Sequence, residues 1–144
     1  MDDFLGDDDN QGRERNDERE RQRQHSGPGV LLRTLKPGNK KYRPVKGDRV
    51  KVHYEAFLAT NLENPFDSSR ERNMTFNFVL GKRQVIEGWE VAVASMSLGQ
   101  LAEVTVPHYF AYGDEGYPPM VPPKSTLVFR IELLDILDKQ SNGN

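Results

Sequence analysis

Apolar and polar residues alternate along five segments of the chain, and a period of two is the pattern of β-strands. The predicted strands are residues 30–35, 49–58, 75–80, 100–106 and 126–137. The second has the clearest alternation: Val50, Val52 and Tyr54 share one face, while Lys51 and His53 share the other. Such strands predict a sheet with one face on a core and the other toward solvent.

One segment has the helical period instead. Residues 87–95 place Trp89 and Val93, followed by Met96, at helical spacing, and a glycine follows as a stop signal. Several strands with a single short helix predict an α+β fold, an antiparallel β-sheet of five or so strands wrapped around that helix. Residues 109–124 are rich in Pro, Gly and Tyr and are predicted to form a loop. A loop of that length in a compact domain is more often functional than idle.

The first 28 residues differ in composition from the rest. They hold nine acids and five arginines, a net charge of −4, and Phe4 and Leu5 are the main apolar side chains. This composition buries too little apolar surface to offset the entropy lost on ordering. We predict a disordered charged tail over residues 1–28, a folded domain over 29–138 and a short polar tail over 139–144. Phe4 and Leu5 are a candidate docking motif for a protein partner; a merely solubilising tail is the alternative.

Composition argues against several classes of function. The chain has no cysteine, which excludes disulfides, thiol catalysis and cysteine-ligated metals. His25, His53 and His108 show neither triad nor metal-ligand spacing, so no metal and no cofactor is predicted. No apolar run approaches the roughly 18 residues of a membrane span, and no secretory apolar segment opens the chain. We therefore predict no membrane association and a cytoplasmic location, with the nucleus as an alternative.

Net charge gives no footprint of a nucleic-acid-binding protein. The whole chain carries −2, which leaves +2 for the residues after the tail. Lysines and arginines do cluster over residues 40–51, and nucleic-acid binding through them is the weakest of the functions considered. The predicted state is a monomer without a nucleic-acid partner.

Three short motifs each place aromatic or aliphatic side chains beside hydrogen-bonding groups. They are FDSSR at 66–70, VIEGW at 85–89 and YFAYG at 109–113. Core aromatics next to turns explain any one of them. That explanation is less convincing for all three in this order within residues 66–113, each pairing an apolar platform with a hydrogen-bonding group.

With their flanking segments, these motifs resemble the FKBP family of peptidyl-prolyl isomerases, the immunophilins that bind tacrolimus and rapamycin. The resemblance covers residues 29 to 137, and its carriers are GDRVKVHY (47–54), FDSSRERN (66–73), FNFVLGKRQVIEGWE (76–90), MSLGQ (96–100), FAYGDEG (110–116) and PPKSTLVFRIELL (122–134). It implies a sheet half-wrapped around one helix, agreeing with the fold predicted from periodicity. It also implies an enzyme that accelerates rotation about X–Pro bonds in a pocket between helix and sheet.

The resemblance further implies roles for individual residues. Those implied as catalytic are Tyr54, Asp67, Trp89, Tyr112 and Phe129. Additional substrate or drug contacts are implied for Phe66, Arg72, Phe76, Gln84, Val85, Ile86, Tyr117, Met120 and Val121. Trp89 would form the pocket floor, Tyr112 would reach a ligand carbonyl through its hydroxyl, and Ile86 would offer its backbone N–H. Gln84 would contribute its backbone carbonyl. The implied partners are X–Pro peptides and proteins and the macrocyclic drugs.

Two further expectations concern the same pocket. The segment YPPMV at 117–121 departs from the family pattern, which implies an altered sequence preference around proline. The alternative function is a proline-recognising scaffold or chaperone-like module with little catalysis, because an aromatic pocket can hold a prolyl segment without isomerising it. The presence of Trp89, Asp67 and Tyr112 favours the isomerase.

Overall fold

A computed structural model describes residues 29–137. These residues form a six-stranded antiparallel sheet and one α-helix. The elements are β1 (Leu31–Lys36), β2 (Arg49–Leu58), β3 (Asp67–Ser68), β4 (Phe76–Val79), α1 (Glu87–Ala94), β5 (Leu101–Val106) and β6 (Leu127–Ile136). The predicted α+β fold is confirmed, and each predicted element is found with its ends shifted by at most one residue. The two-residue β3 was not predicted, because two residues carry no periodicity.

The predicted tails lie outside the described residues. This applies to residues 1–28 with their Phe4-Leu5 motif, and to residues 139–144 together with position 138. No helix in the described range is long and apolar enough to cross a bilayer. Location and oligomeric state stay predictions.

The sheet is ordered β1–β5–β6–β2–β3, and β4 also pairs with β2. The long strand β2 makes this possible, because its first half pairs with β4 and its second half with β3. The loop between β5 and β6 contains a short 3₁₀ turn, His108–Phe110, and is otherwise irregular as predicted. The strands that line the inner face of the sheet therefore come from distant parts of the chain.

A β-bulge in β6 reverses which of its residues face the core beyond Leu133. Val52 lies opposite Leu133, but the preceding Lys51 lies opposite Asp135, so Leu134 has no cross-strand partner. Strict alternation after Leu133 would direct Ile136 away from the core. The extra residue reverses the alternation, and Ile136 is buried.

Helix α1 packs directly on the inner face of the sheet. Its buried residues are Gly88, Trp89, Ala92 and Val93. A Cβ atom at Gly88 would lie 2.5 Å from Cγ1 of Val106, so the helix approaches β5 as closely as a glycine allows. This close approach sets the depth at which Trp89 enters the core.

Candidate active site

A cavity of about 170 Å³ lies between the start of α1 and the inner face of the sheet. Its walls come from all parts of the domain: strands β2, β3, β4 and β6 and helix α1 supply side chains, and the loops before β3, before α1 and after β5 supply the rest. The lining residues are Tyr54, Ala56, Phe66, Asp67, Phe76, Gln84, Val85, Ile86, Trp89, Tyr112 and Phe129. Most of this lining is aromatic or aliphatic, which suits an apolar ligand group.

A larger groove, of about 400 Å³, lies on the opposite face of the sheet. Its walls carry ion pairs, among them Arg33 with Glu103 and Arg70 with Glu132. These charges satisfy one another, and the groove lacks an aromatic enclosure. Although it is larger, the groove is therefore a poorer candidate site for an apolar ligand than the smaller cavity.

Trp89 forms the floor of the cavity and meets three lining rings nearly edge-on. Its ring centroid is 5.0 Å from that of Tyr54, 5.5 Å from Phe129 and 5.9 Å from Phe76, with interplanar angles of 79°, 87° and 81°. Edge-to-face rings of this kind fix one another and leave a walled space above the indole. Only 4% of Trp89 is exposed, and its buried Nε1 has no hydrogen-bond partner among the described residues.

A network of three polar side chains forms one rim of the cavity. The Tyr54 hydroxyl donates to Oδ2 of Asp67 at 2.6 Å, and Nη2 of Arg72 donates to the Tyr54 oxygen at 3.0 Å. Arg72 also forms an ion pair with Oδ1 of Asp67. Strand β3 places Asp67 opposite Ala56 on β2, within reach of Tyr54. The carboxylate is held from both sides, so its orientation at the rim is set before any ligand arrives.

The opposite rim is shaped by a carboxylate on the helix. Oε1 of Glu90 accepts the N–H of Gly81 at 2.7 Å, and Oε2 accepts the N–H of Arg83 at 3.0 Å. The Gln84 side chain turns away to accept the N–H of Val79 at 2.9 Å. Among the described residues, neither the Gln84 carbonyl nor the Ile86 N–H has a hydrogen-bond partner. Both backbone groups are therefore available to a ligand.

The third wall is the loop after β5. The ring of Tyr112 stacks on that of Tyr117 with centroids 5.2 Å apart, and no hydrogen bond to the Tyr112 hydroxyl occurs among the described residues. Tyr117 and Val121 pair through their backbones around a cis peptide bond between Pro118 and Pro119. We call residues 117–121 the flap. The flap contacts the cavity wall where the Tyr117 ring stacks on Tyr112.

Comparison with known proteins decides the family. Residues 40–134 match the family model for the FKBP-type peptidyl-prolyl cis-trans isomerase. The peptidyl-prolyl cis-trans isomerase FKBP1A of Xenopus laevis is 46% identical over 106 residues, which are 74% of this chain and 96% of that protein. The chain belongs to the FKBP family. It is a peptidyl-prolyl cis-trans isomerase, as the motifs led us to expect.

The FKBP cavity contains most of the residues that the sequence singled out. All five implied catalytic residues line it, together with Phe66, Phe76, Gln84, Val85 and Ile86. Arg72 reaches it only through Asp67 and Tyr54. Tyr117 and Met120 are exposed on the flap, whereas Val121 is 2% exposed and packs in the core. A part for Val121 in binding would therefore act through the flap that it anchors.

Two residues of the FKBP site were missed by sequence reasoning. Ala56 lines the cavity and shares the inner face of β2 with Tyr54, so its period of two could have identified it. Sequence reasoning placed Glu90 within the predicted helix but gave it no part in the site. Its bonds to Gly81 and Arg83 connect segments that share no periodic pattern, and only the folded chain reveals them.

Two tyrosines and one arginine at the FKBP cavity keep one protonation state near neutral pH. Burial, and then the hydrogen bond to Asp67, raise the pKa of Tyr54. Burial, and then the nearby Tyr117, raise the pKa of Tyr112. The pKa of Arg72 is raised, first by its hydrogen bond with Tyr54. Both phenols therefore stay neutral and the guanidinium stays charged below the usual tyrosine range.

We expect kcat/KM for isomerisation to be flat between about pH 6 and 9, because none of these three groups titrates there.

The free energy of unfolding, by contrast, should depend on pH through His53. Burial, and then Arg70, lower the pKa of His53, so its contribution to stability is complete above 6.5 and is lost as pH falls below it. Peptide isomerisation rates and thermal unfolding, measured on the same buffers, check both. A bell-shaped rate profile without parallel unfolding would contradict this prediction.

Proposed function

We propose that the aromatic cavity is where this isomerase turns the X–Pro bond, and that tacrolimus and rapamycin bind there in competition with substrate. The observation that carries the proposal is a set of nearly perpendicular rings around the cavity, with two hydrogen-bond donors at its rims that have no partner among the described residues, the Ile86 N–H and the Tyr112 hydroxyl. A ligand with one apolar ring and flanking carbonyls matches such a cavity. A prolyl residue has that chemistry.

The reaction requires the protein only to supply an apolar environment for the X–Pro bond and to hold the substrate in position. Rotation about X–Pro breaks no covalent bond, and its barrier of about 18–20 kcal/mol reflects the amide resonance lost on twisting. Water stabilises the planar, charge-separated amide more than the twisted one. A dry cavity floored by Trp89 and walled by Phe129 and Tyr54 removes that preference and so lowers the relative barrier. Each 1.36 kcal/mol gained is a tenfold increase in rate.

The polar groups at the rims orient the substrate. The Ile86 N–H and the Tyr112 hydroxyl each donate to a carbonyl next to the prolyl ring, which fixes one side of the bond while the other turns. Asp67 contributes a carboxylate whose charge is balanced by Arg72, so it can stay at the edge of an apolar cavity. The proposed roles of Tyr54 and Arg72 at this rim are therefore to position Asp67.

The flap provides the contacts outside the prolyl site. Tyr117 and Met120 are 54% and 42% exposed beside Tyr112, which leaves their side chains free to meet residues flanking proline or the outer part of a macrocycle. Because YPPMV departs from the usual family pattern, we propose that sequence preference is altered here while the prolyl site is retained.

The test is a peptide isomerisation assay with full-length protein. We expect rate enhancement on X–Pro peptides that rapamycin and tacrolimus abolish. Tyr112→Phe should lower kcat/KM about 2- to 10-fold, the value of one hydrogen bond, without loss of stability, because its hydroxyl makes no hydrogen bond within the described residues. Tyr42→Phe is the matched control, since this half-exposed ring lies outside the cavity.

Three results would count against the proposal. An unchanged Tyr112→Phe would remove the hydroxyl from the mechanism. Drug binding without inhibition would place the drugs at another surface. Tight drug binding with no rate enhancement on any X–Pro peptide would favour the proline-recognising scaffold.

A further inference from the structure

A second surface of the domain is strongly basic and lies outside the cavity. It consists of the loop between β1 and β2, the first residue of β2, and the turn between β4 and α1. Its cations, all exposed, are Lys40, Lys41, Arg43, Lys46, Arg49, Lys82 and Arg83. We call these seven residues, with Tyr42 and Val45 between them, the basic surface. Nothing in the isomerase reaction requires it.

The loop and the turn are joined by backbone contacts. Gly47 donates its N–H to the Leu80 carbonyl at 2.8 Å, and Leu80 donates its N–H to the Asp48 carbonyl at 2.8 Å. The Lys46 side chain lies against Gly81. On the other side, Arg43 donates to the Ser95 carbonyl at 3.0 Å. The cations are therefore held on one continuous surface.

These cations differ from the other arginines in their pairing. Arg33, Arg70, Arg72 and Arg130 each form an ion pair with a carboxylate. None of the seven does so with a carboxylate of the described residues. The nearest acid on the helix, Glu90, is already bonded to the amides of Gly81 and Arg83. An acidic partner would meet seven cations that form no ion pair among the described residues, with the carboxylates of Asp48 and Glu90 beside them.

The basic surface also exposes two apolar side chains among its cations. Tyr42 is 42% exposed and Val45 is 55% exposed. Residues 2–9 of this chain read DDFLGDDD, five aspartates around a Phe-Leu pair. Acid and apolar groups in that segment match cation and apolar groups on the surface. We propose that residues 2–9 dock on the basic surface of their own chain.

The length of the chain allows this contact. Asp9 precedes Gly29 by twenty residues, which span up to about 65 Å. Gly29 lies near Pro107, at the Val106 end of the sheet, and the basic surface begins beyond the other end of β1, about 20 Å away. A covalent link of this length gives the segment an effective concentration of millimolar order at the surface, so weak contacts suffice.

The inference is independent of the proposed drug and substrate site. Its consequence is that the basic surface is covered by the chain's own acids rather than open to an external polyanion. The domain without its tail carries only +2, which is a weak footprint for nucleic acid by itself. Lys82 and Arg83 directly precede Gln84 of the cavity rim, so the docked segment would lie beside the isomerase site.

The test uses full-length, ¹⁵N-labelled protein and two variants with four acids neutralised in each. The first carries Asp3→Asn, Asp7→Asn, Asp8→Asn and Asp9→Asn. The matched control carries Glu14→Gln, Asp17→Asn, Glu18→Gln and Glu20→Gln. We expect the first variant to shift the amides of residues 40–43, 45–46 and 82–83 toward the positions that they have in the wild type at about 0.5 M salt, where the contact is screened. The control should leave them in place.

Two companion measurements sharpen the result. Phe4→Ala with Leu5→Ala should shift the amides of Tyr42 and Val45 in the same direction. A twenty-residue oligothymidylate should bind the first variant at least about threefold more tightly than wild type, because a linked competitor has been weakened. All variants should keep wild-type isomerase activity, which controls for folding.

Three results would overturn the inference. Spectra of the first variant that match wild type at the basic surface would mean that the acids do not dock there. Equal oligothymidylate affinity for wild type and the first variant would make the surface an open nucleic-acid site. Shifts that grow with protein concentration would place the contact between two copies instead of within one.

Discussion

Trp89→Ala is expected to lower the free energy of unfolding by about 3–5 kcal/mol and kcat/KM by about tenfold or more. The indole is 4% exposed and contacts Tyr54, Phe76 and Phe129 edge-on. Its removal leaves an empty space in the core and takes away the floor of the active-site cavity. Denaturant unfolding and a peptide isomerisation assay measure the two effects. Tyr42→Ala, a truncation at a half-exposed ring, should change stability by less than about 1 kcal/mol.

Trp89→Phe separates the two roles if the alanine variant folds poorly. Phenylalanine keeps an aromatic floor and most of the buried volume, so the loss of stability should be well below that of alanine. Its kcat/KM should fall less than that of Trp89→Ala. If both variants are folded and as active as wild type, Trp89 does not form the catalytic floor.

Gly88→Ala is expected to destabilise the domain by about 1–3 kcal/mol, although alanine is the better helix former by about 1 kcal/mol. The reason is the contact with β5, where a Cβ would lie 2.5 and 2.9 Å from the two Cγ atoms of Val106. Relief of that overlap would push α1 outward and lift Trp89 from the sheet. We therefore expect kcat/KM to fall together with stability, measured as for Trp89.

A second substitution tests the stated cause. Val106→Ala removes the two methyl groups that meet the new Cβ, so Gly88→Ala in that background should cost much less than in wild type. Ala94→Gly, at an exposed position of the same helix, should cost up to about 1 kcal/mol through helix propensity alone. Additive effects of Gly88→Ala and Val106→Ala would rule out the close contact as the origin.

Periodicity along the chain was sufficient for the secondary structure. Alternation placed β2 and its inner face, and the Trp89–Val93 spacing placed α1, because burial on one side selects apolar residues at the period of the element. Burial agrees with the inner face, where Val50, Val52 and Ala56 of β2 are each 0–2% exposed, but Phe57 on the other face is only 3% exposed as well. The bulge at Leu134 could not be predicted from the sequence, because it depends on which residue of β2 pairs with each residue of β6.

The composition of the cavity also followed from the sequence, through the FKBP motifs and their order. Its geometry did not. Neither the box of rings around Trp89 nor the Tyr54–Asp67–Arg72 rim can be read from the order of residues, because each unites side chains from separate elements. Val121 shows the same limit: the family resemblance implied a ligand contact, whereas packing buries its side chain in the core at the end of the flap.

The sequence by itself determined the elements, the family and the set of residues available to the site. These depend on local periods and on motifs that are contiguous along the chain. Within the described residues, only the tertiary structure decided how deep Trp89 lies, which backbone groups at the rims make no hydrogen bond and which cations form no ion pair. Those properties arise from approach distances such as Gly88 to Val106 and from bonds such as Glu90 to Gly81, which form only once distant segments pack together.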